Sequence, residues 1–208
     1  MVKIIEKLKE QLRLQLPGAF AHEAMRAKPV GSVLPTFNHK APPKPGSVLI
    51  LIYEINGMYH IPFIKRPDYM GAHSGQVSFP GGKAEPGEGD IETALREANE
   101  EIGINTNSIT VVGKLSNFFV FPSNFMITPV VAVANELPSF EPDPHEVERI
   151  IHGRVNDLLP EDAIKDKEIL AANVYRMMAP HFEIDGEIVW GATAMMLNEF
   201  RLVWKSIQ

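Results

Sequence analysis

The chain has 208 residues, a net charge of −6 and no cysteine, and 45% of its residues are hydrophobic. This length predicts one domain, and the composition is that of a globular protein with a buried core. The lack of cysteine excludes disulfides, thiolate metal sites and a cysteine nucleophile, so a metal would need oxygen or histidine ligands. The excess of acidic residues argues against nucleic acid as the main partner.

The chain begins with MVKIIEKLKEQLRLQL, in which apolar residues recur at helical spacing. This pattern predicts an amphipathic helix that ends at Pro17 and Gly18. Glu6 and Glu10 argue against a signal or transit peptide, as does the lack of a small-residue cleavage site. No apolar run approaches the roughly 20 residues of a membrane span. We therefore expect a cytoplasmic protein that makes no membrane contact.

A segment rich in proline, glycine and lysine follows, from Lys28 to Gly46, and its prolines disfavour regular structure. The residues before this segment are too few to form a separate domain. We therefore expect residues 1–46 to form an N-terminal helix and Pro-rich arm packed on the main body, and residues 47–208 to form the main domain.

The main domain opens with two apolar runs separated by Asn56 and Gly57, a pair that is typical of a β-hairpin turn. Further β-branched and aromatic runs alternate with segments of helical periodicity, which predicts a mixed α/β domain. We expect further strands at Ile109–Leu115, Met126–Ala134 and Glu146–Ile151. We expect helices at Asp90–Ile102, within Val155–Asp166 and at Gly191–Trp204.

The predicted helix Asp90–Ile102 carries an apolar face opposite three acidic residues, Glu97, Glu100 and Glu101. Carboxylates at this spacing repel one another and weaken the helix unless a cation compensates, and such oxygen ligands suit Mg²⁺. A solvated acidic face with Arg96 as a surface partner is the alternative. The glycine-rich loop before the helix favours the metal site, because glycine lets the backbone approach a metal or a diphosphate closely.

The spacing of this segment resembles the Nudix box, G-x5-E-x7-R-E-U-x-E-E-x-G-U, in which U is aliphatic. The matching positions are Gly82, Glu88, Arg96, Glu97, Ala98, Glu100, Glu101, Gly103 and Ile104, with a small alanine at the first U. Nine residues at fixed spacing make this a specific signal. The chain therefore resembles the Nudix hydrolases, which cleave nucleoside diphosphates linked to another group.

The resemblance implies an α/β/α sandwich with a mixed β-sheet and a loop-helix-loop catalytic motif. It also implies that the three helix carboxylates bind Mg²⁺, or alternatively Mn²⁺, together with the carbonyl oxygen of Gly81. Arg96 would orient Glu97, and Glu88 would pair with Arg96 and brace the loop. The metal would neutralise the diphosphate and lower the pKa of a water molecule that attacks phosphorus.

The segments on either side of the box resemble the coenzyme A (CoA) pyrophosphatase subgroup. Upstream, Arg66, Gly75, Phe79 and the Pro-Gly-Gly after them match the subgroup's pattern, and downstream the run WGATA matches its ending. The resemblance implies that Arg66, Gly75 and Phe79 belong to the substrate-binding segment. It covers roughly residues 49–200 and leaves the N-terminal arm uncovered.

Gly71 stands where the subgroup pattern has a second arginine, so a guanidinium that could grip a substrate phosphate is missing. Either recognition of CoA is weakened, or a nearby cation supplies the contact, from Lys65, Arg66 or His73. We favour compensation. His73 could itself contact a phosphate, and a structural hydrogen bond is the alternative for this residue.

Two other features have both a functional and a structural interpretation. Glu146, on a predicted loop-to-strand edge, could be a further metal ligand or a general base, or it could lie on a solvated rim. The four phenylalanines within Phe118–Phe125 could stack on a base, although aromatic residues near a strand pair more often form core. We expect Trp190 to pack beneath the last helix.

The resemblance thus implies Mg²⁺-dependent hydrolysis of CoA or a derivative to 3′,5′-ADP and a 4′-phosphopantetheine product. A Nudix pyrophosphatase for ADP-ribose or dinucleoside polyphosphates is the first alternative. A non-catalytic nucleotide-binding module is the second, although such modules typically lose box carboxylates, and this chain keeps them. The expected partner is a small-molecule nucleotide, and a homodimer formed through the N-terminal helix is compatible with each alternative.

Overall fold

The computed structural model describes residues 2–30, 36–67, 75–171 and 174–208. The helices are α1 (Val2–Gln11), α2 (Ala19–Glu23), α3 (Asp90–Ile102), α4 (Val155–Leu158) and α5 (Gly191–Lys205). The strands are β1 (Lys28–Pro29), β2 (Lys44–Ile55), β3 (Met58–Lys65), β4 (Val77–Ser78), β5 (Gly81–Lys83), β6 (Ile109–Lys114), β7 (Phe118–Val120), β8 (Phe125–Ala134), β9 (Arg149–Arg154), β10 (Ile164–Ala171), β11 (Tyr175–Ile184) and β12 (Glu187–Val189). Within the described ranges, no helix has the length and apolar character needed to cross a membrane.

The main sheet is mixed and centres on β2. This strand pairs in parallel with β8 and antiparallel with β3 and β5, and β9 pairs with the far edge of β3. The predicted hairpin is confirmed, because Ile55 pairs with Met58 across the turn at Asn56 and Gly57. Residues 48–53 of β2 are all buried, as expected for a central strand whose two faces are both covered.

Alternate residues of β2 and β8 face two different cores, which places helices on both sides of the sheet. Leu49 and Val130 lie in the core that contains Ala98 of α3. Their neighbours Ile50 and Val131 lie in the larger core, which contains the side chains of α5. The molecule is therefore an α/β/α sandwich with a mixed sheet, as predicted.

A second sheet covers the end of the molecule near α5. Strands β10 and β11 form a long antiparallel hairpin, and β12 and β1 each add to β11. The helix predicted within Val155–Asp166 is confirmed as the short α4, which ends at Leu158. Pro160 cannot continue a helix, and the chain passes through a short 3₁₀ turn at Glu161–Ala163 directly into β10.

The N-terminal residues lie against α5 and the main sheet. The first helix ends at Gln11, earlier than predicted, and a second short helix, α2, follows the predicted break at Pro17 and Gly18. Nε2 of His22 in α2 contacts the buried carboxylate of Glu199 in α5 at 2.9 Å. The prediction that regular structure is disfavoured throughout Lys28–Gly46 is wrong at both ends, where β1 forms and β2 begins. The domain boundary after residue 46 stays a prediction.

Candidate active site

The three acidic residues of α3 lie at very different depths. Side-chain exposure is 56% at Glu100, 16% at Glu97 and 1% at Glu101. At about 100° per residue, these positions lie roughly 160°, 100° and 60° around the helix from the buried Ala98. The expectation that all three residues lie opposite the apolar face is therefore correct for Glu100 and wrong for Glu101, which lies beside that face.

The carboxylate of Glu101 is buried between two hydrogen-bond donors. Nη2 of Arg66 donates to Oε1 at 3.0 Å, and the backbone N–H of Gly81 donates to Oε2 at 2.7 Å. Burial raises the pKa of Glu101 to about 7, because these two donors offset only part of the cost of desolvating its charge. Negative charge on Glu97 and Glu146 raises this pKa further. Glu101 is therefore a buried carboxylate with too little positive charge around it.

Arg96 binds all the other acidic groups of the motif. Its Nε and Nη2 donate to the two oxygens of Glu88 at 2.6 and 3.0 Å, a bidentate pair that holds the pKa of Glu88 at about 2. Nη2 also donates to Oε1 of Glu97 at 2.9 Å and to the carbonyl oxygen of Lys83 at 3.0 Å, and Nη1 donates to Oε2 of Glu100 at 2.8 Å. The structure thus brings Arg96 together with Glu88 and Glu97, the pairs that the motif implied.

Close backbone approach explains the glycine at the start of the motif. A Cβ atom on Gly82 would lie 2.4 Å from Oε2 of Glu97. At Gly81, where φ is +149°, a Cβ atom would lie 2.3 Å from the carbonyl oxygen of Ser47 in β2. Only glycine fits at these two positions without moving a neighbour. The loop therefore passes directly over the carboxylate of Glu97.

Glu146 lies on a loop that is tied to the C-terminal end of α3. The backbone N–H groups of Glu141 and Asp143 donate to the carbonyl oxygens of Ile102 and Glu101 at 2.9 and 3.0 Å. The strand predicted to begin at Glu146 begins at Arg149 instead, so Glu146 is on the loop and its side chain is exposed. Burial is the main cause that raises the pKa of Glu97 and of Glu101, and the negative charge of Glu146 adds to both increases.

The donor chemistry of this cluster fits a hard divalent cation. The pKa of Glu97, like that of Glu101, is raised mainly by burial, so a nearby positive charge would stabilise both carboxylates. As their side chains lie, no three acidic or histidine residues among those described are close enough together to hold a metal ion. Arg96 holds Glu97 and Glu100, so a metal that used Glu100 would require its exposed side chain to leave Arg96.

A cavity of about 680 Å³ opens beside Gly81 and Gly82. Arg66, which binds Glu101, also lines this cavity and so connects it to the acidic cluster. Eight aromatic residues line its walls, namely Phe37, Phe79, Phe118, Phe119, Phe121, Phe125, Tyr175 and Trp190. Phe121 is 56% exposed, so the expectation that these phenylalanines are core is wrong for it. Trp190 is partly buried, directly precedes α5 and lines the cavity.

Phe79 and Gly75, which were also predicted to lie in the substrate-binding segment, have different surroundings. Phe79 lines the cavity but is 1% exposed and stacks on Phe63 with ring centroids 4.8 Å apart, so it supports the wall from within the core. The N–H of Gly75 donates to the carbonyl oxygen of Pro67 at 3.3 Å, and Gly75 has a φ of +64°. His73 and Gly71 lie outside the described residues.

Lys65, one of the cations that could replace the missing arginine, is already paired. Its Nζ contacts Glu187 at 3.0 Å and Glu148 at 3.8 Å. Lys65 is not among the described residues that line the cavity, whereas Arg66 is. Of these two neighbours, Arg66 is therefore the one placed to meet a phosphate.

Comparison with known proteins identifies the family of this chain. The NUDIX domain matches residues 43–181. The chain belongs to the Nudix family. Nudix hydrolase 3 of Caenorhabditis elegans is 39% identical over 90 residues, which cover 43% of this chain and 38% of that protein. Nudix hydrolase NudL of Yersinia enterocolitica is 33% identical over 136 residues, covering 64% of this chain and 68% of that protein.

A solved structure shares the Nudix fold at low identity. The Nudix hydrolase RenU of M. smegmatis superposes with a TM-score of 0.53 at 15% identity, covering 80% of this chain and 89% of that one. The domain match and the curated relatives support a hydrolase that acts on pyrophosphate bonds. Nudix hydrolases generally use divalent metal ions, in keeping with the all-oxygen donor set described above.

Sequence reasoning missed several residues that line the cavity beside the Nudix motif. Arg26 comes from the N-terminal arm, which carries no motif that could have indicated it. Tyr175 and Met177 come from β11, in the hairpin that the sequence pattern did not predict. The clustering of phenylalanines near Phe121 was visible in the sequence. Clustering alone, however, does not show which of these side chains are buried and which are exposed.

Proposed function

We propose that this Nudix protein hydrolyses the diphosphate bond of a nucleoside diphosphate linked to another group, with CoA or a CoA derivative as its substrate. The observation that carries the proposal is the position of Arg66. This residue binds the buried Glu101 and also lines the large cavity. A diphosphate held by Arg66 would therefore lie next to the acidic cluster, with the rest of the substrate in the cavity.

The residues of the motif have separate tasks in this proposal. The Gly81 N–H holds Oε2 of Glu101, which fixes the direction in which this carboxylate presents its remaining lone pairs. Arg96, anchored by Glu88, orients Glu97 under the Gly82 backbone. Glu146 is the proposed proton acceptor for the attacking water, because it is exposed, lies on the loop that is tied to the end of α3 and adds negative charge to the surroundings of Glu97 and Glu101.

Glu97, Glu100 and Glu101 are the residues that would hold a divalent metal, with the Gly81 carbonyl oxygen as a further ligand. Mg²⁺ is the ion proposed, with Mn²⁺ as the alternative, because carboxylate and carbonyl oxygens suit both. When bound, the ion would supply charge neutralisation for the diphosphate and a lower pKa for a water molecule. Glu97 and Glu101 then carry their negative charge beside a cation instead of beside each other.

Two observations favour CoA over other nucleotide substrates in this proposal. The segments before and after the motif resemble the CoA pyrophosphatase subgroup, and a cavity of about 680 Å³ is within the usual range for a whole small-molecule ligand. Its apolar walls suit a substrate with a long uncharged arm. ADP-ribose and dinucleoside polyphosphates are the competing substrates, and a binding-only module is disfavoured because the carboxylates are retained. The cytoplasmic location stays a prediction.

A hydrolysis screen with Mg²⁺ tests this proposal. The substrates are CoA, acetyl-CoA, ADP-ribose, NADH and diadenosine polyphosphates, with products separated by chromatography. We expect the best kcat/KM for CoA or acetyl-CoA, with release of 3′,5′-ADP. If ADP-ribose exceeds CoA by more than about tenfold, about 1.4 kcal/mol in transition-state stabilisation, the substrate assignment is wrong. If none is hydrolysed, the enzyme proposal itself is wrong.

A further inference from the structure

The cavity beside Gly81 and Gly82 is lined by positive charge, although the chain as a whole is acidic. The chain as a whole carries 26 acidic and 20 basic residues. Among the described residues that line the cavity, however, the charged side chains are Arg26, Arg66 and Lys83, and none is acidic. A pocket with three cations and apolar walls suits a ligand that is both polyanionic and partly apolar.

The three cations reach the cavity from different parts of the fold. Arg66 follows β3, and Lys83 ends β5, whose glycines pass over the acidic cluster. Arg26 comes from the N-terminal arm, between α2 and β1. The first two are thus placed for the diphosphate that is cleaved, whereas Arg26 lies outside residues 43–181, which match the NUDIX domain. Arg66 contacts Glu101, whereas the ion pair that Arg26 forms is with Glu23 of the arm, so Arg26 is available for another group.

Arg26 is held in position on both sides. Before it, His22 is anchored by Glu199 at 2.9 Å, and Met25 is fully buried in the core. After it, Lys28 and Pro29 pair with Met178 and Met177 of β11. The backbone that carries Arg26 is therefore fixed against α5 and the second sheet, beside the cavity that Arg26 lines.

The side chain of Arg26 is free to exchange its partner. Its Nε donates to Oε2 of Glu23 at 2.6 Å, and both side chains are more than half exposed. Exposed ion pairs of this kind contribute little to stability. The contact does not involve the two terminal nitrogens, which can form a bidentate pair with a phosphate.

We propose that Arg26 is a specificity residue that binds a second phosphate group of the substrate, a phosphomonoester separate from the diphosphate that is cleaved. This inference rests on the proposed function, in which CoA carries such a group as its 3′-phosphate. The base of the nucleotide would lie against the aromatic walls, where Phe119 and Phe121 pack edge to face with centroids 4.6 Å apart. The N-terminal arm is then part of the substrate site.

Equilibrium binding of two products tests Arg26 without any need for turnover. Titration calorimetry in the absence of metal compares 3′,5′-ADP with 5′-AMP, which differ only in the 3′-phosphate. We expect wild type to bind 3′,5′-ADP about tenfold more tightly, because a charge-assisted contact is gained. Arg26→Ala should abolish this preference, and Arg26→Lys should keep part of it. Arg13→Ala, an exposed arginine in the same arm, is the matched control and should retain the full preference.

Three further outcomes test the role of Arg26, and the last of them separates this inference from the proposed function. Glu23→Gln removes the carboxylate that competes for Arg26, so it should tighten the binding of 3′,5′-ADP and leave 5′-AMP unaffected. An equal loss of affinity for both nucleotides in Arg26→Ala, or no loss for either, would overturn the role of Arg26. If wild type shows the preference but does not hydrolyse CoA, the proposed reaction fails while the phosphate site stands.

Discussion

Glu101 combines deep burial with a charge that its neighbours only partly neutralise. Arg66 and the Gly81 N–H each supply one contact, yet burial still raises the pKa of Glu101 to about 7. A carboxylate in this position is costly for the fold, and a nearby cation or a bound proton reduces that cost. The metal-free protein should therefore show the cost as a dependence of its stability on pH.

The first prediction concerns this pH dependence in the presence of a chelator. Because the folded protein binds the Glu101 proton more tightly than the unfolded chain does, the stabilisation is complete below about pH 4.5 and is lost as pH rises to about 7. Glu101→Gln has no carboxyl group at this position, so it should not lose stability in this way. Across that interval, the free energy of unfolding of wild type should fall relative to the variant by on the order of 3 kcal/mol. Urea unfolding at several pH values measures the difference, and parallel curves would show that Glu101 is not perturbed.

The second prediction concerns the close contact at Gly82. In Gly82→Ala, the new Cβ atom would meet the Glu97 carboxylate at 2.4 Å, so Glu97 must move from its place beside Arg96. We expect kcat for CoA to fall by at least about tenfold, since small displacements of a catalytic group have large effects on rate. Steady-state kinetics and a thermal melt together separate this effect from a loss of folding.

Gly89→Ala is the control for Gly82→Ala. Gly89 belongs to the same loop, and its added Cβ atom would meet only Oε2 of Glu92 at an ordinary 3.6 Å. This variant should keep kcat within about twofold of wild type, because no motif carboxylate has to move. Equal losses in the two variants would indicate that the loop is sensitive to any added methyl group, and the specific contact with Glu97 would not be the cause.

Much of the local geometry was predictable from spacing, because helix periodicity and glycine requirements depend on the chain itself. The contacts of Arg96 with Glu88 and Glu97 follow the pattern that the motif implied. The burial of Glu101 and its contact with Arg66 did not follow from spacing. They depend on how the end of β3 lies against α3, a tertiary relation between residues 35 positions apart.

At the scale of elements, a buried polar cluster attaches the N-terminal arm to the last helix. Glu199 of α5 is fully buried and accepts from Ser116 Oγ at 2.6 Å and from the Gly18 N–H at 3.0 Å, in addition to its contact with His22. Burial alone would raise the pKa of Glu199, but the bonds from His22, Ser116 and Gly18 outweigh it and hold this pKa below its usual range. The cluster joins α2, α5 and the loop before β7.

The third prediction tests this attachment. Glu199→Gln keeps the size of the side chain but replaces a charged acceptor with an amide, so some of the surrounding donors lose their partner. We expect the free energy of unfolding to fall by about 2–4 kcal/mol, measured by urea denaturation. Glu10→Gln, at an exposed position of α1, should change it by less than about 0.5 kcal/mol. If both variants unfold like wild type, the cluster does not hold the arm.

The elements that sequence patterns predicted well are those with a helical period or a long apolar run. The helices α3 and α5 and the strands β2, β3, β6 and β8 fall close to their expected ranges, because helical spacing marks the helices and dense β-branched and apolar runs between turn residues mark the strands. The hairpin β10–β11 was missed. Most of β10 is exposed, so its residues show no apolar alternation that would distinguish a strand from a helix or a loop.

In the whole molecule, the cavity forms where segments that are distant in the sequence come together in the folded chain. Its walls come from the N-terminal arm, the main sheet, the second sheet and α5, with Arg26, Val48, Met177 and Met195 as examples. No local pattern predicts which segments will meet in this way. This is why the motif and the fold could be identified from the sequence, whereas the substrate site could be described only from the structure.

The activity of Glu101→Gln shows whether the acidic cluster around Glu101 is a hydrolytic centre for diphosphates. The measurement is kcat/KM for CoA at saturating Mg²⁺, with Glu92→Gln in the same helix as the control because its carboxylate contacts only the start of α3 at Gly89. We expect a loss of roughly 10²-fold or more in Glu101→Gln, since a charge aimed at the reaction is removed while the fold is kept. Glu92→Gln should stay within a few-fold of wild type. Near-wild-type turnover by Glu101→Gln would show that this carboxylate is not part of a hydrolytic centre.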